Sequence, residues 1–140
     1  MPSQSSRSAF VAMPFAKRFD ELYQQSIARA ALDVNLRLIR LGELPLGRVV
    51  AEMKAAVDRC DFIIVVATDR NPHVFLEIGL AYAARKPGVI IAEHESDYEI
   101  FRSEYSCLHY GQDLERLRRQ LGQEFEHLMG VGPQRHIQFY

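Results

Sequence analysis

The sequence predicts a three-layer α/β fold built around a parallel sheet, and three observations lead to this prediction. Short apolar runs alternate with amphipathic stretches along most of the chain. Two of these runs, residues 62–67 and 89–92, are apolar on both faces, which is typical of strands at the centre of a parallel sheet. The 140 residues, of which 48% are hydrophobic and 25% charged, match one globular domain with its own core.

The first half of the chain predicts two strand-helix units. Residues 8–13 form a short β-type run, and residues 17–31 then carry apolar side chains at helical spacing. Residues 34–39 alternate apolar and polar side chains, which suits a strand at the edge of a sheet. A turn is expected at residues 42–45, and the apolar spacing over residues 46–60 predicts the helix that leads into the next strand.

The second half continues this alternation and then becomes less regular. Asn71 and Pro72 are typical of a helix N-cap and of the first helical position, so a helix is expected from there to about residue 84. The elements expected after it are a buried strand at 89–92, a short helix or turn around 98–102 and a short fifth strand at 107–110.

The C-terminal region predicts a long amphipathic helix over residues 113–129. Residues 130–133 are expected to end it, because glycine and proline disfavour helices. The last residues, 134–140, are apolar for a free terminus, and we expect this tail to pack on the body or on another subunit. The chain therefore predicts a single domain with its core at about 8–129 and a C-terminal tail at 130–140.

Five strand-helix units of this length predict the flavodoxin-like strand order 2-1-3-4-5. Ligands of such sheets bind beyond the carboxyl ends of the strands, at the switch point between strands 1 and 3. The loops at residues 13–16 and 68–71 are expected to meet there. The first of these loops, residues 13–16, contains no glycine and so lacks the glycine-rich phosphate loop of dinucleotide enzymes; a hydride-transfer enzyme is therefore disfavoured.

Composition excludes several classes of partner. The formal charge is −1, and the 17 basic and 18 acidic residues are scattered, so no polymeric nucleic acid is expected to bind. The longest apolar run is too short to span a bilayer, and the polar start lacks the apolar core of a signal peptide. We therefore expect a cytoplasmic protein with no membrane contact. Cys60 and Cys107 lack metal-ligand spacing, so reduced thiols and no metal or cofactor are expected.

The most informative side chain is Glu77, which lies in a stretch that is otherwise almost wholly apolar. The helix dipole favours an acid only in the first turn of a helix, and Glu77 lies beyond the first turn of the predicted helix. The dipole therefore does not explain this residue. A helix that is apolar on nearly all sides is buried, so this carboxyl must be paired, protonated or placed at a cavity where it meets a ligand. The third possibility is a functional site.

Two alternatives for this segment stay open. Gly79, two positions after Glu77, lowers helix stability, so a group that approaches closely is expected there, either a ligand or the sheet against which the helix packs. In the purely structural alternative, a buried arginine such as Arg48 or Arg18 neutralises Glu77. A nucleophilic glutamate would instead need donors that keep it ionised, because an apolar setting raises the pKa of a carboxyl group.

Two segments, residues 61–68 and 71–83, resemble the nucleoside 2-deoxyribosyltransferase-like group, which is related to the TIR-like domains. The opening segment 10–15 and the Lys86-Pro87 pair before strand 4 also fit that group. The resemblance extends over roughly residues 8–121, and the segment that carries Glu77 is more specific for the superfamily than for the reaction that a member performs.

This resemblance implies cleavage or transfer at an N-glycosidic bond. In the transferases the glutamate of this segment attacks the anomeric carbon, the base departs, and another base or water replaces it; Glu77 is the matching residue. The resemblance also implies a small ligand, namely a nucleoside, a nucleotide or NAD. It further implies a homo-oligomer, because a neighbouring subunit helps to complete the site in related transferases. The additional aspartate of the transferases has no assigned counterpart here.

Residues at the carboxyl edge of the sheet are further candidates for substrate binding. Asp69 could contact the base or ribose and Arg70 a phosphate or carboxylate, unless both are simply solvated. An aromatic ring at Phe15, beside Met13, could stack on a base, or both side chains could pack over the sheet.

Four polar side chains on the surrounding helices and loops complete the candidates. Arg48 and Glu52 could form a pocket wall or an exposed ion pair on one helix. His94 could act as a general acid. His73, in the first turn after the N-cap Asn71, could help to bind a phosphate, with simple exposure as the alternative.

Three functions compete on this evidence. The first is an enzyme that acts on the glycosidic bond of a nucleoside or nucleotide. The second is a TIR-like domain that cleaves NAD or senses nucleotides in defence or signalling. The third, a receiver-like switch with the same fold, is disfavoured because strand 1 does not lead into the paired acids that hold magnesium.

Overall fold

The computed structural model describes residues 7–41 and 48–137, with side chains as far as Gly130. Within these residues one parallel sheet has five strands in the order β2-β1-β3-β4-β5, which confirms the predicted topology. The strands are β1 (Ser8–Ala12), β2 (Arg37–Ile39), β3 (Phe62–Val66), β4 (Gly88–Ala92) and β5 (Ser106–His109).

Helices cover both faces of the sheet. They are α1 (Asp20–Leu22), α2 (Ala28–Asp33), α3 (Val49–Arg59), α4 (Pro72–Ala83) and α5 (Leu114–Ile137). A three-ten turn, Lys17–Phe19, precedes α1, and a π-helical turn, Tyr23–Ile27, joins α1 to α2 in one continuous helical segment. Helices α1, α2 and α5 share one core with the sheet, whereas α3 and α4 share the other.

The central strands owe their burial to side chains that are apolar on both faces. Every residue of β1, β3 and β4 is buried. Along β3, Ile64 points to the core beneath α5, and its neighbour Ile63 points to the core beneath α3 and α4. Each fully buried side chain of this kind contributes about 1.5–3 kcal/mol to the free energy of unfolding. The two apolar runs singled out in the sequence therefore form the centre of the fold.

Two boundaries differ from the prediction. β2 has three residues rather than the six predicted at 34–39, because the chain is still turning at Asn35, whose φ is 57°. α5 continues to Ile137 instead of ending at residues 130–133, so residues 134–137 are helical rather than a tail. Glycine and proline cost a helix about 1 and 3 kcal/mol, which weakens the helix without forbidding it.

The other predicted helices and strands agree with the structure to within a few residues where it describes them. The irregular segment after β4 contains two three-ten turns, Glu95–Asp97 and Glu99–Phe101. The predicted turn at residues 42–45 and the end of the tail at 138–140 lie outside the described residues. In the part of the chain that the structure describes, no helix is both long and apolar enough to cross a membrane.

Candidate functional site

The helix that carries Glu77 begins where its sequence predicts. Asn71 has an extended backbone conformation, and its Oδ1 accepts hydrogen bonds from the backbone N–H groups of His73 (2.9 Å) and Val74 (3.3 Å). Pro72 then occupies the first helical position, where its missing N–H costs nothing. Asn71 therefore fixes the start of α4, and His73 lies exposed in the first turn.

Glu77 lies on the inner side of α4 and is only 7% exposed. It lies on the same side of the helix as Val74, Ile78 and Ala81, which are buried in the core shared with the sheet. None of the described side chains donates a hydrogen bond to its carboxyl group or forms an ion pair with it. Burial raises the pKa of Glu77 from the ordinary 4.5 to about 8. In the structure as it stands, the carboxyl group is mostly protonated at neutral pH.

The structural alternative for Glu77 is wrong for both arginines that were considered. Arg48 pairs with Glu52 on its own helix, with 3.0 Å between Nη2 and Oε2. Arg18 pairs with Asp69 at the carboxyl edge of the sheet. Arg48 and Glu52 thus form the exposed helical pair that was the alternative to a pocket wall.

Gly79 does not pack α4 against the sheet, which corrects the structural alternative for this residue. It is exposed, and no described atom lies within 4 Å of the position that a Cβ would occupy. The glycine therefore leaves a gap on the outer side of α4, and no group of the described chain approaches it. The expectation that a group approaches closely at Gly79 is therefore not met in the part of the chain that the structure describes.

The loop between β3 and α4 has an uncommon backbone. Asp69 and Arg70 are two consecutive non-glycine residues in the left-handed region, with φ of 67° and 54°. Such residues cost about 1–3 kcal/mol each and persist only where neighbouring groups hold them. Asp97, in the turn after β4, contacts both of them: its Oδ2 accepts from the Asp69 N–H at 3.3 Å, and its Oδ1 lies 3.6 Å from Arg70 Nε.

The two loops at the switch point are in contact. Arg18, in the turn that follows β1, forms an ion pair with Asp69, in the turn that follows β3. Phe15, in the first of these loops, is 53% exposed and is available to stack on a ligand. Met13 is 4% exposed and belongs to the core beneath α5, so the structure favours the packing alternative for this residue.

His94 lies at the same edge but is largely exposed. Its Nε2 is 4.0 Å from Oε1 of Glu93, and 72% of its side chain is accessible to solvent. No contact in the described part of the chain connects it with α4. The structure therefore brings Asp69, Arg70 and Asn71 together at the start of α4, and leaves His94 on a different loop.

Sequence reasoning missed a polar cleft on the opposite face of the sheet from Glu77. It has a volume of about 210 Å³ and lies beyond β3, β4 and β5, between α1 and the start of α5. At its floor the buried hydroxyl groups of Thr68 and Tyr110 share a hydrogen bond of 2.9 Å, and Thr68 Oγ1 accepts from the Glu93 N–H at 3.1 Å. The signal available in the sequence was that Thr68, Glu93 and Tyr110 each follow a strand.

The described residues hold no cluster of three or more His, Cys, Asp or Glu side chains that could bind a metal ion. Cys60 is a buried free thiol, and burial raises its pKa. Cys107 is a partly buried free thiol, and burial raises its pKa to about 11. Both thiols are therefore protonated and unreactive near neutral pH.

Comparisons with known proteins identify the fold. No protein-family model matches the chain, and no curated protein sequence matches it. The structure is similar to that of a CMP N-glycosidase from Clostridium botulinum, BcmB, with a TM-score of 0.60 and 16% identity over 81% of this chain and 98% of that one. It is equally similar to a de novo designed Rossmann 2x3 protein, with a TM-score of 0.60 and 16% identity over 91% and 93%. An enzyme and a designed scaffold match equally well, so these similarities establish a Rossmann-like α/β fold.

Proposed function

We propose that this protein cleaves the N-glycosidic bond of a small nucleoside or nucleotide and that Glu77 is the group that acts on the anomeric carbon. The observation that carries the proposal is the position of Glu77, an acid on the inner side of α4 that is only 7% exposed and has no partner among the described residues. Its pKa of about 8 leaves a minor fraction of the carboxyl groups ionised at neutral pH, and this ionised form is the one that we propose to act. Strongly shifted pKa values of this kind are concentrated at functional sites. The structural similarity to a CMP N-glycosidase is consistent with the same chemistry.

The chemistry explains why such a carboxyl group would be left unpaired. Cleavage of a glycosidic bond passes through a transition state with positive charge on the sugar ring, and a carboxylate on the opposite face stabilises it or bonds to the anomeric carbon. The base leaves with the electron pair of the broken bond and takes a proton from water. In the covalent route a water molecule or a second base then displaces Glu77. An arginine already paired with Glu77 would weaken the attraction between its carboxylate and the positive charge on the sugar ring.

The residues at the start of α4 are proposed to hold the substrate. Arg70 carries a guanidinium group that is 61% exposed, which suits a phosphate or carboxylate of the ligand. The exposed Phe15 ring offers a stacking surface, and Asp69 could accept hydrogen bonds from ribose or base. His73 is exposed beside them in the first turn of α4. Phe15 follows β1 in the chain, and the other three residues follow β3.

Self-association is part of the same proposal. Leu76 and Tyr82, on the outer side of α4, are 42% and 57% exposed, and Ile100, in the segment between β4 and β5, is 72% exposed. We infer that these exposed apolar side chains contribute to a contact with another protein. We expect sedimentation equilibrium at micromolar concentration to show a dimer or larger species, and replacement of Leu76 and Ile100 by serine to weaken it. A wild-type monomer would contradict this part of the proposal.

A second candidate is a nucleotide-sensing domain of the TIR-like type that binds its ligand without turnover. The raised pKa of Glu77 favours it, because a protonated carboxyl group is a hydrogen-bond donor and a poor nucleophile. Substitution separates the two functions. A binding site can accept glutamine as an isosteric replacement, whereas nucleophilic attack requires the carboxylate.

The decisive experiment measures the release of free bases. Wild-type protein, Glu77→Gln and the control Glu126→Gln, which changes an exposed glutamate of α5, are incubated with pooled nucleosides, nucleotides and NAD, and the bases are detected by mass spectrometry. We expect base release by the wild type and the control, and a loss of about a thousand-fold or more in Glu77→Gln, typical of losing a nucleophile. Turnover retained by Glu77→Gln would rule out Glu77 as the nucleophile. No release by any of the three proteins, with ligand binding retained, would favour the sensing domain.

A further inference from the structure

Asp97 connects the turn after β4 to the loop after β3. Its side chain is only 14% exposed, although it belongs to a short surface turn. Its two carboxylate oxygens contact successive residues of the loop, the backbone N–H of Asp69 at 3.3 Å and the guanidinium Nε of Arg70 at 3.6 Å. Arg70 also donates from Nη2 to the carbonyl oxygen of Ser96 at 3.1 Å. The turn after β4 therefore holds the loop at two consecutive positions.

These two positions are the ones that most need to be held. Asp69 and Arg70 both have positive φ values, and neither is a glycine. The next residue is Asn71, whose side chain caps α4 by accepting from the His73 and Val74 N–H groups. A change in the backbone of Asp69 or Arg70 is therefore passed directly to the first turn of α4. The inner side of the same helix carries Glu77 about one and a half turns further along.

We propose that Asp97 is a positioning residue, which fixes the start of α4 and thereby sets the place of Glu77 relative to the loops at the switch point. The expected effect of Asp97 on turnover rests on the proposed function. Its expected effect on the start of α4 does not depend on any activity. The carboxylate is suited to this role because one group accepts from a backbone N–H and pairs with a cation at the same time. Asparagine keeps an oxygen for the N–H but loses the charge, and alanine loses both.

Asp61 provides a matched control at the opposite edge of the sheet. Its Oδ2 accepts from the backbone N–H of Ser8 at 2.8 Å, and its Oδ1 lies 3.9 Å from Arg7 Nη1. It thus makes the same two kinds of contact as Asp97, but just before β3 instead of beyond β4. Asp61→Ala should lose comparable stability without affecting α4.

The experiment compares Asp97→Ala, Asp97→Asn and Asp61→Ala in the full-length protein. Two kinds of measurement are made. Kinetics gives kcat and KM for base release, and NMR gives the amide shifts of His73 and Val74, which report the cap of α4. We expect Asp97→Ala to move both amide signals and to lower kcat by about 10- to 100-fold with a smaller change in KM, because a small misplacement of a reacting group slows the chemical step. Asp97→Asn should recover at least part of both changes.

The control and the amide signals keep the proposal falsifiable. Asp61→Ala should leave kcat and both amide signals at their wild-type values. The proposal is overturned if Asp97→Ala keeps the wild-type amide signals, or if Asp61→Ala lowers kcat as much as Asp97→Ala does. If the wild type releases no base, the proposed function fails, and the amide signals alone then decide whether Asp97 fixes the helix start.

Discussion

The acidic side chains at the carboxyl edge of the sheet and the acidic side chain of α4 have opposite surroundings. At the edge, Asp69 pairs with Arg18, Asp97 contacts Arg70, and Glu93 accepts a hydrogen bond from Gln112 at 3.0 Å. On α4, Glu77 is more deeply buried than any of these and has no such partner among the described residues. The most deeply buried of these carboxyl groups is therefore the one that no described donor or cation contacts.

This difference separates two uses of a carboxyl group. The paired acids connect loops and complete the structure, so their contacts account for their presence. Among the described residues no such contact accounts for Glu77, whose side chain is nevertheless only 7% exposed. The contrast shows that the acids at the edge have contacts within the fold, beside the substrate contact proposed for Asp69, and it directs the search for the reacting group to Glu77.

The largest expected effect is on the pH dependence of stability. The native pKa of Glu77 is about 8 and its ordinary value is 4.5, so the native state binds more protons than the unfolded state between these pH values. Its contribution to stability is therefore fully present below about pH 4.5 and is lost as the pH rises through about 8. The slope is at most about 1.4 kcal/mol per pH unit.

Urea unfolding at pH 5, 6.5 and 8 checks this prediction. The wild type should lose up to about 4 kcal/mol more than Glu77→Gln over this range, because glutamine does not titrate. Glu126→Gln should follow the wild type. Parallel pH profiles for wild type and Glu77→Gln would show that the native pKa of Glu77 is not raised, and the contrast with the edge acids would then disappear.

The next effect is on turnover. If the ionised carboxyl group is the active form, kcat/KM for base release should rise with pH and level off above about pH 8, the pKa of Glu77 in the free protein. Between pH 6 and pH 8 the expected rise is about 50-fold, from the change in the ionised fraction. Initial rates at low substrate concentration measure it. A profile that falls over this range would assign Glu77 the role of a proton donor.

A smaller effect is expected at the paired polar groups of the cleft. Thr68→Val leaves the Tyr110 hydroxyl group and the Glu93 N–H without their shared partner, at a cost of about 1–3 kcal/mol. Tyr110→Phe removes one group and leaves the Glu93 N–H bonded to Thr68, so it should cost less. Urea unfolding measures both. Equal losses in the two variants would mean that the bond between Thr68 and Glu93 contributes nothing.

The sequence predicted the parts of the fold that depend on local pattern. The runs that are apolar on both faces predicted the central strands. Asn71 and Pro72 predicted the start of α4, because a cap and a fixed φ act within a few residues. Glu77 was also found from a local pattern, because it is an isolated acid in an apolar helix. The strand order followed from the handedness of parallel connections, which leaves few arrangements for five strands.

Contacts between distant segments could not be predicted in this way. Thr68 and Tyr110 are 42 residues apart, and Asp97 and Asp69 are 28 apart, so neither pairing has a local signature. The end of α5 was missed for another reason, because glycine and proline change the free energy of a helix by a finite amount that packing can exceed. Likewise, the positive φ of Asn35 that shortens β2 is a backbone state that asparagine adopts only in some settings.

The smallest effect tests whether exposed pairs belong to the site at all. Arg48→Ala removes the ion pair with Glu52, in which the two side chains are 68% and 38% exposed, and exposed helical pairs contribute about 0.5 kcal/mol or less. We therefore expect the free energy of unfolding and kcat/KM for base release both to stay close to wild type. Glu52→Ala should behave in the same way, since neither side chain contacts Glu77. A large loss of turnover in Arg48→Ala with unchanged stability would instead make Arg48 part of a pocket wall. Ion pairing would then no longer distinguish the structural charged residues from those of the site.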